Sequence, residues 1–192
     1  RAPLRASRWL RESARVAARR RAYPEALGAL GRALELAAEL PRTDRLEAGG
    51  EASQLAGVVH GAGGDSVAAT EGLAAGGEGA AQAEEIAAEV ESLLLESSAA
   101  FLFDPARADR AFQRARDLAW EVGEPLLSLR VRGLAAFGHL RARGYRPRDD
   151  EASAGAVEAL RRAGPRAVLG EQLARRALFD VVTGRYVEAD AA

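Results

Sequence analysis

Apolar residues recur along this chain at the three- and four-residue steps of a helix face, and several stretches share the same offsets. From Ala26 the residues four, seven and ten positions on are Leu30, Ala33 and Leu36; from Ala108 they are Phe112, Ala115 and Leu118. From Ala152 they are Ala156, Ala159 and Arg162, a weaker copy with Leu160 beside it. A last stretch opens at Tyr186-Val187-Glu188-Ala189, echoing Tyr23-Pro24-Glu25-Ala26. The heads Ala26, Ala108, Ala152 and Ala189 lie 82, 44 and 37 residues apart. The first interval is about twice a unit of ~40, the period of stacked helical hairpins. The pattern predicts an all-α, right-handed superhelix of antiparallel hairpins, a solenoid.

The elements follow from the same periodicity and its interruptions. A first hairpin is expected from about Trp9 to Leu40, with Trp9, Leu10, Ser13, Ala14 and Ala17 on the buried face of its first helix. Pro24 suits the first turn of the second helix, and Pro41 ends it. A second clear hairpin spans about Ile86 to Gly123: a helix to Phe103, Asp104 as N-cap before Pro105, and a partner helix over 106–122. Further helices are expected over 126–143, 151–163 (capped by Asp149-Asp150) and 167–182.

Between Leu46 and Ala83 the pattern weakens. A repeat headed near Ala68 is due there, yet Gly61, Gly63, Gly64, Gly72, Gly76, Gly77 and Gly79 crowd the stretch, each costing about 1 kcal/mol against alanine in a helix. The expectation is a short helix over 51–60, a flexible or degenerate segment over 61–80, and a marginal helix over 66–75. The rest of 1–192 reads as a single helical-repeat domain. With no methionine at its start and its end inside an expected helix, the chain reads as a fragment of a larger protein.

Composition narrows the function classes. Alanine dominates the 48% hydrophobic content, and aromatics are only 5%, which favours closely packed helices over a sheet. No apolar run nears the ~20 residues of a membrane span, and no signal-peptide pattern is present. Cysteine is absent, which excludes disulfides and thiolate metal sites, and a cytoplasmic location is the default expectation. All 27 basic residues are arginine, a bias expected of a GC-rich genome.

Candidate chemistry is sparse. Gly61-Ala62-Gly63-Gly64-Asp65-Ser66 has the look of a phosphate loop, but that chemistry needs a lysine and the chain has none. An esterase reading of Ser66 would need a later histidine as base, and His139 stands alone in helical context. Neither His60 nor His139 has a ligand-spaced neighbour, so no metal or cofactor is called. Trp9 and Trp120 lie at helical spacing among apolar residues and are expected in the core. The charge distribution is uneven: residues 1–22 hold eight arginines and one glutamate, whereas residues 46–106 hold eleven acidic residues and no arginine. Arg1, Arg5, Arg8, Arg15 and Arg19 recur as a stripe on one helix face, suited to solvent or to an acidic partner. A net charge of −1 argues against a nucleic-acid contact through this segment.

Leu173, Ala177, Gly184, Tyr186 and Ala189 resemble the run that marks a tetratricopeptide repeat. Leu10, Ala14, Tyr23, Ala26, Leu30 and Ala33 repeat it, with Arg21 where the glycine would stand. The phrase from Arg116 to Leu127 is similar to the longer repeats of large bacterial signalling ATPases, including LuxR-type transcriptional regulators and ATPase-linked class III nucleotide cyclases. The resemblance implies a non-enzymatic interaction or regulatory scaffold, binding a protein or peptide or coupling to a neighbouring ATPase or output domain. A small-molecule-sensing helical domain is the alternative, ahead of a hydrolytic enzyme. Arg130, Arg132, His139, Arg175 and Arg176 are the candidate partner contacts, as polar positions on first-type helices. A homo-oligomer is compatible with this reading.

Overall fold

A computed structural model describes residues 2–101, 103–143 and 145–184, and among them the chain is helical with no strand. The side chains at 136–143, 149, 163, 167, 171 and 178 lie outside that description. First-type helices are α1 (Ala2–Arg19), α3 (Arg42–Ala62), α5 (Ile86–Ala100), α7 (Pro125–Arg143) and α9 (Arg166–Val182). Each of the first four is followed by a second-type helix: α2 (Tyr23–Ala38), α4 (Ser66–Gln82), α6 (Pro105–Val122) and α8 (Pro147–Ala163). First-type helices therefore start 40, 44, 39 and 41 residues apart, and second-type helices 43, 39 and 42. The ~40-residue period is a property of the folded chain.

By packing, the chain forms two compact units, Arg1–Ala115 and Arg116–Ala192. In the first, helices pack in neighbouring pairs from α1 to α5, and α3 also packs on α1 and α5. In the second, α7 packs on both α8 and α9, and α8 on α9. The motif formed by Tyr186 and Ala189 lies outside the described residues.

The heads of the second-type helices explain the period. Ala26, Leu30, Ala33 and Ala37 are buried on α2, as are Ala108, Phe112, Ala115 and Ala119 on α6. The copy due near Ala68 is present one residue later: Ala69, Leu73, Gly76 and Ala80 are buried on α4 with the same spacing. On α8 Ser153, Ala156, Val157 and Leu160 are buried; Ser153, Val157 and Leu160 keep the spacing, so the head is Ser153, and Ala152 is exposed. Small heads let the paired helix approach closely, and a larger residue four positions on fills the space beside them.

Three of the glycines expected to loosen 61–80, Gly72, Gly76 and Gly79, instead line a close approach of α4 to α3. The helix expected over 51–60 extends over Arg42–Ala62, and α4 is continuous over Ser66–Gln82. A Cβ on Gly72 would sit 2.8 Å from the Gly57 amide nitrogen and 3.1 Å from the Ser53 carbonyl oxygen. One on Gly76 would meet the Gln54 backbone at 2.9 Å, and one on Gly79 the Gly50 Cα at 2.9 Å. Gly72, Gly76 and Gly79 are spaced three and four apart, so they form one flat stripe on α4 against the backbone of α3. Tertiary contact overrides the intrinsic cost of glycine here.

Three helix ends in the first unit share one geometry. Arg21, Gly64 and Glu84 adopt φ of 61°, 87° and 60°, and the following amides of Ala22, Asp65 and Glu85 donate back to the carbonyls of Ala17, His60 and Ala80. This is the Schellman closure, which favours glycine at the left-handed residue. Arg21 thus occupies the glycine-like position assigned to it by pattern. We predict that Arg21→Gly and Glu84→Gly each stabilise the fold by about 0.5–1 kcal/mol, because the Cβ strain of that conformation is removed. Denaturant titration of either variant checks this, and an unchanged or lowered midpoint would refute it.

Three further local expectations meet the structure differently. Asp104 caps α6 as expected, its Oδ1 accepting from the Arg107 amide at 2.9 Å. By contrast, α8 begins at Pro147, with Asp150 inside the helix rather than capping it. Both tryptophans are exposed, Trp9 at 68% and Trp120 at 83%, because the buried faces of their helices run through Leu10 and Ala14 and through Ala115 and Ala119.

Candidate interaction surfaces

The polar side chains divide into those that tie helices together and those left facing out. In the first unit Arg11 is buried: its Nε lies 3.0 Å from Glu51 Oε2, and an Nη donates to Ser7 Oγ and to the Ala48 carbonyl. Ser7 in turn donates to the Ala33 carbonyl, so one polar knot joins α1, α2 and α3. On α5, Glu89 and Glu96 are buried and seven residues apart, and they receive Arg114 at 3.2 Å and Arg107 at 2.7 Å from α6. The pairing of 89 with 114 and 96 with 107 sets an antiparallel register. These charges are structural, because paired and half-desolvated groups are not available to a partner.

The second unit contains four of the five sequence-predicted contact arginines and histidine in describable form. Arg132 is exposed on α7, whereas Arg130 and Arg175 are half-buried. The side chain of His139 lies outside the described residues. Arg176 is an internal cation: it bonds Asp150 Oδ1 at 2.6 Å and Asp180 Oδ2 at 2.9 Å, and lies 5.5 Å above the Phe179 ring. Tyr145 completes this cluster by donating its hydroxyl to Asp150 Oδ2. Gln172, buried on α9, occupies the space left by Gly133 on α7, where a Cβ would fall 1.6 Å from its Oε1. Arg132 is therefore the member of the predicted set best placed to meet a partner.

The outward-facing rows of the first unit are more extended. On α1, Arg5, Arg8, Trp9, Glu12, Val16 and Arg19 are exposed along one face, and Glu12 pairs with Arg15. On α4, Val67, Glu71, Ala75, Glu78 and Gln82 are exposed at steps of four, four, three and four residues. Of the arginine stripe read from spacing, Arg5, Arg8 and Arg19 are exposed, Arg15 is half-buried, and Arg1 lies outside the described residues. The α4 row was hidden by the glycines between its members.

His60 Nδ1 is 3.8 Å from Asp65 Oδ2, and Asp65 is occupied as the cap of α4. Among the described residues no group of three His, Asp or Glu side chains could hold a metal ion. Likewise, no described helix is long and apolar enough to cross a membrane. What the arrangement offers chemically is a set of charged and apolar helix faces. No protein-family model matches the chain, and no curated protein is significantly similar to it.

Proposed function

We propose that the chain is a helical-repeat recognition module, a right-handed superhelix of the tetratricopeptide type that binds a protein or peptide segment. It acts without a cofactor, in the cytoplasm, as a regulatory scaffold coupled to an adjoining ATPase or output domain. The observation that supports this most is the arrangement of first-type helices. In the first unit α1, α3 and α5 follow one another in contact, and in the second α7 touches α9 across the hairpin between them. Adjacent helices of one type give a continuous surface, and stacked repeats use such a surface for extended ligands.

Arg132 is the residue that tests the reading most cleanly, because it is exposed on a first-type helix. Panning a displayed peptide library on the whole chain should enrich sequences with acidic positions. Arg132→Glu should weaken the selected peptides about tenfold, the scale of a charge reversal at an interface rim, while the melting temperature stays within a degree or two. Equal binding to the variant would remove Arg132 from the surface, and failure to enrich any peptide would overturn the recognition reading.

A further inference from the structure

The outer rows of α1 and α4 carry opposite charges, yet they belong to the same unit and leave each other unpaired. Arg5, Arg8 and Arg19 on α1 make no ion pair among the described residues, and neither do Glu71 and Glu78 on α4. Trp9 projects from the α1 row at 68% exposure, flanked by Arg5 and Arg8, with Val16 two turns further on. An exposed tryptophan among arginines has the composition of an interface anchor, since both residue types are enriched where binding energy concentrates. The α4 row offers the counterpart: the small side chain of Ala75 is exposed between Glu71 and Glu78, and Val67, 56% exposed, extends the apolar strip.

We propose that copies of this chain associate through these two rows, α1 of one copy lying against α4 of another. The occupant is a second copy rather than an unrelated acidic protein because the chain itself carries the matching face. The exposed α1 row carries Arg5, Arg8 and Arg19, with its glutamate, Glu12, already paired to Arg15, and the exposed α4 row carries Glu71 and Glu78 with no arginine. Both rows follow a helix at three- and four-residue steps, so the ridge carrying Trp9 can lie in the groove beside Ala75. Arg5 and Arg8 then face Glu71 or Glu78. Opposite charges at such a rim steer the encounter and fix the register, and the desolvated tryptophan supplies the apolar anchor. The contact uses residues of α1 and α4, and the recognition reading uses Arg132 on α7, so the test of either can fail without the other.

Sedimentation of the full chain at increasing concentration tests the proposal. At about 50 mM NaCl the weight-average mass should rise above 20.2 kDa, and at about 500 mM, where screening is strong, it should fall back toward that value. Arg5→Glu/Arg8→Glu/Arg19→Glu and, separately, Glu71→Arg/Glu78→Arg should each weaken association at least about tenfold. Mixing the two charge-reversed chains should restore it, because each then presents the partner that the other has lost. That recovery also shows that both variants are folded. Trp9→Ser should weaken association without removing its salt dependence. A wild-type chain that stays at the monomer mass at low salt would overturn the proposal, as would mixed variants that fail to associate.

Discussion

Gly72→Val is expected to destabilise the first unit by about 3 kcal/mol, near the upper end of overpacking costs. The reason is backbone against backbone. The first atom added at Gly72 meets the Gly57 amide nitrogen at 2.8 Å and its Cα at 3.0 Å, and neither can rotate away. Gly57→Val should behave alike, since its Cβ would lie 2.7 Å from the Leu73 amide nitrogen and 2.8 Å from the Ala69 carbonyl oxygen. Gly28→Ala and Gly31→Ala on α2 provide the internal contrast. Nothing lies within 4 Å of either added Cβ, so these should stabilise by up to about 1 kcal/mol through helix propensity alone. Opposite signs at chemically similar positions, read from urea midpoints, would establish that packing and not propensity decides the seam. A neutral Gly72→Val would show that the helices are not in contact there.

Arg176→Met carries the second large effect, about 3 kcal/mol of lost stability in the second unit, at the low end of costs for breaking a buried pair because Asp150 keeps some solvent access. The substitution removes the cation shared by Asp150 and Asp180, whose side chains are 18% and 2% exposed. It leaves two carboxylates facing a methyl thioether. Arg176→Lys should recover only part of the loss, since a single ammonium cannot reproduce the fork that reaches both acids. Arg162→Ala, which breaks an exposed pair with Glu158, should cost under about 0.5 kcal/mol. Comparable losses for Arg162→Ala and Arg176→Met would contradict the internal role assigned to Arg176. A partner contact at Arg176 would instead show a loss of binding without a loss of stability.

Much of the architecture was legible because helix periodicity is a local signal. Offsets from Ala26 and Ala108 located two second-type helices whose heads are buried, and Asp104-Pro105 marked the start of α6. Failures came where a residue's meaning depends on its neighbour in space. Glycine spacing reads as looseness in one dimension, and only the approach of α3 reveals that Gly72, Gly76 and Gly79 are the residues that fit. Ala68 and Ala152 were each one residue from the true head, an error invisible in alanine-rich sequence because both neighbours are small. Trp9 and Trp120 share helical spacing with apolar neighbours, yet the buried faces of their helices run through Leu10 and Ala14 and through Ala115 and Ala119, which one-dimensional spacing does not distinguish. Among the contact candidates, polarity alone could not separate Arg132, which faces solvent, from Arg176, which is enclosed by Asp150 and Asp180.

The glycine-rich stretch forms part of the α3–α4 helix pair rather than a gap between helices. Residue-resolved amide hydrogen exchange across α3 and α4 tests this most directly. The amides of the interior turns of Ser66–Gln82 should exchange at least about a thousandfold slower than an unstructured chain, in step with Arg42–Ala62, because the two helices open together. Exchange of 66–82 at the unstructured rate while α1 and α2 remain protected would contradict the account.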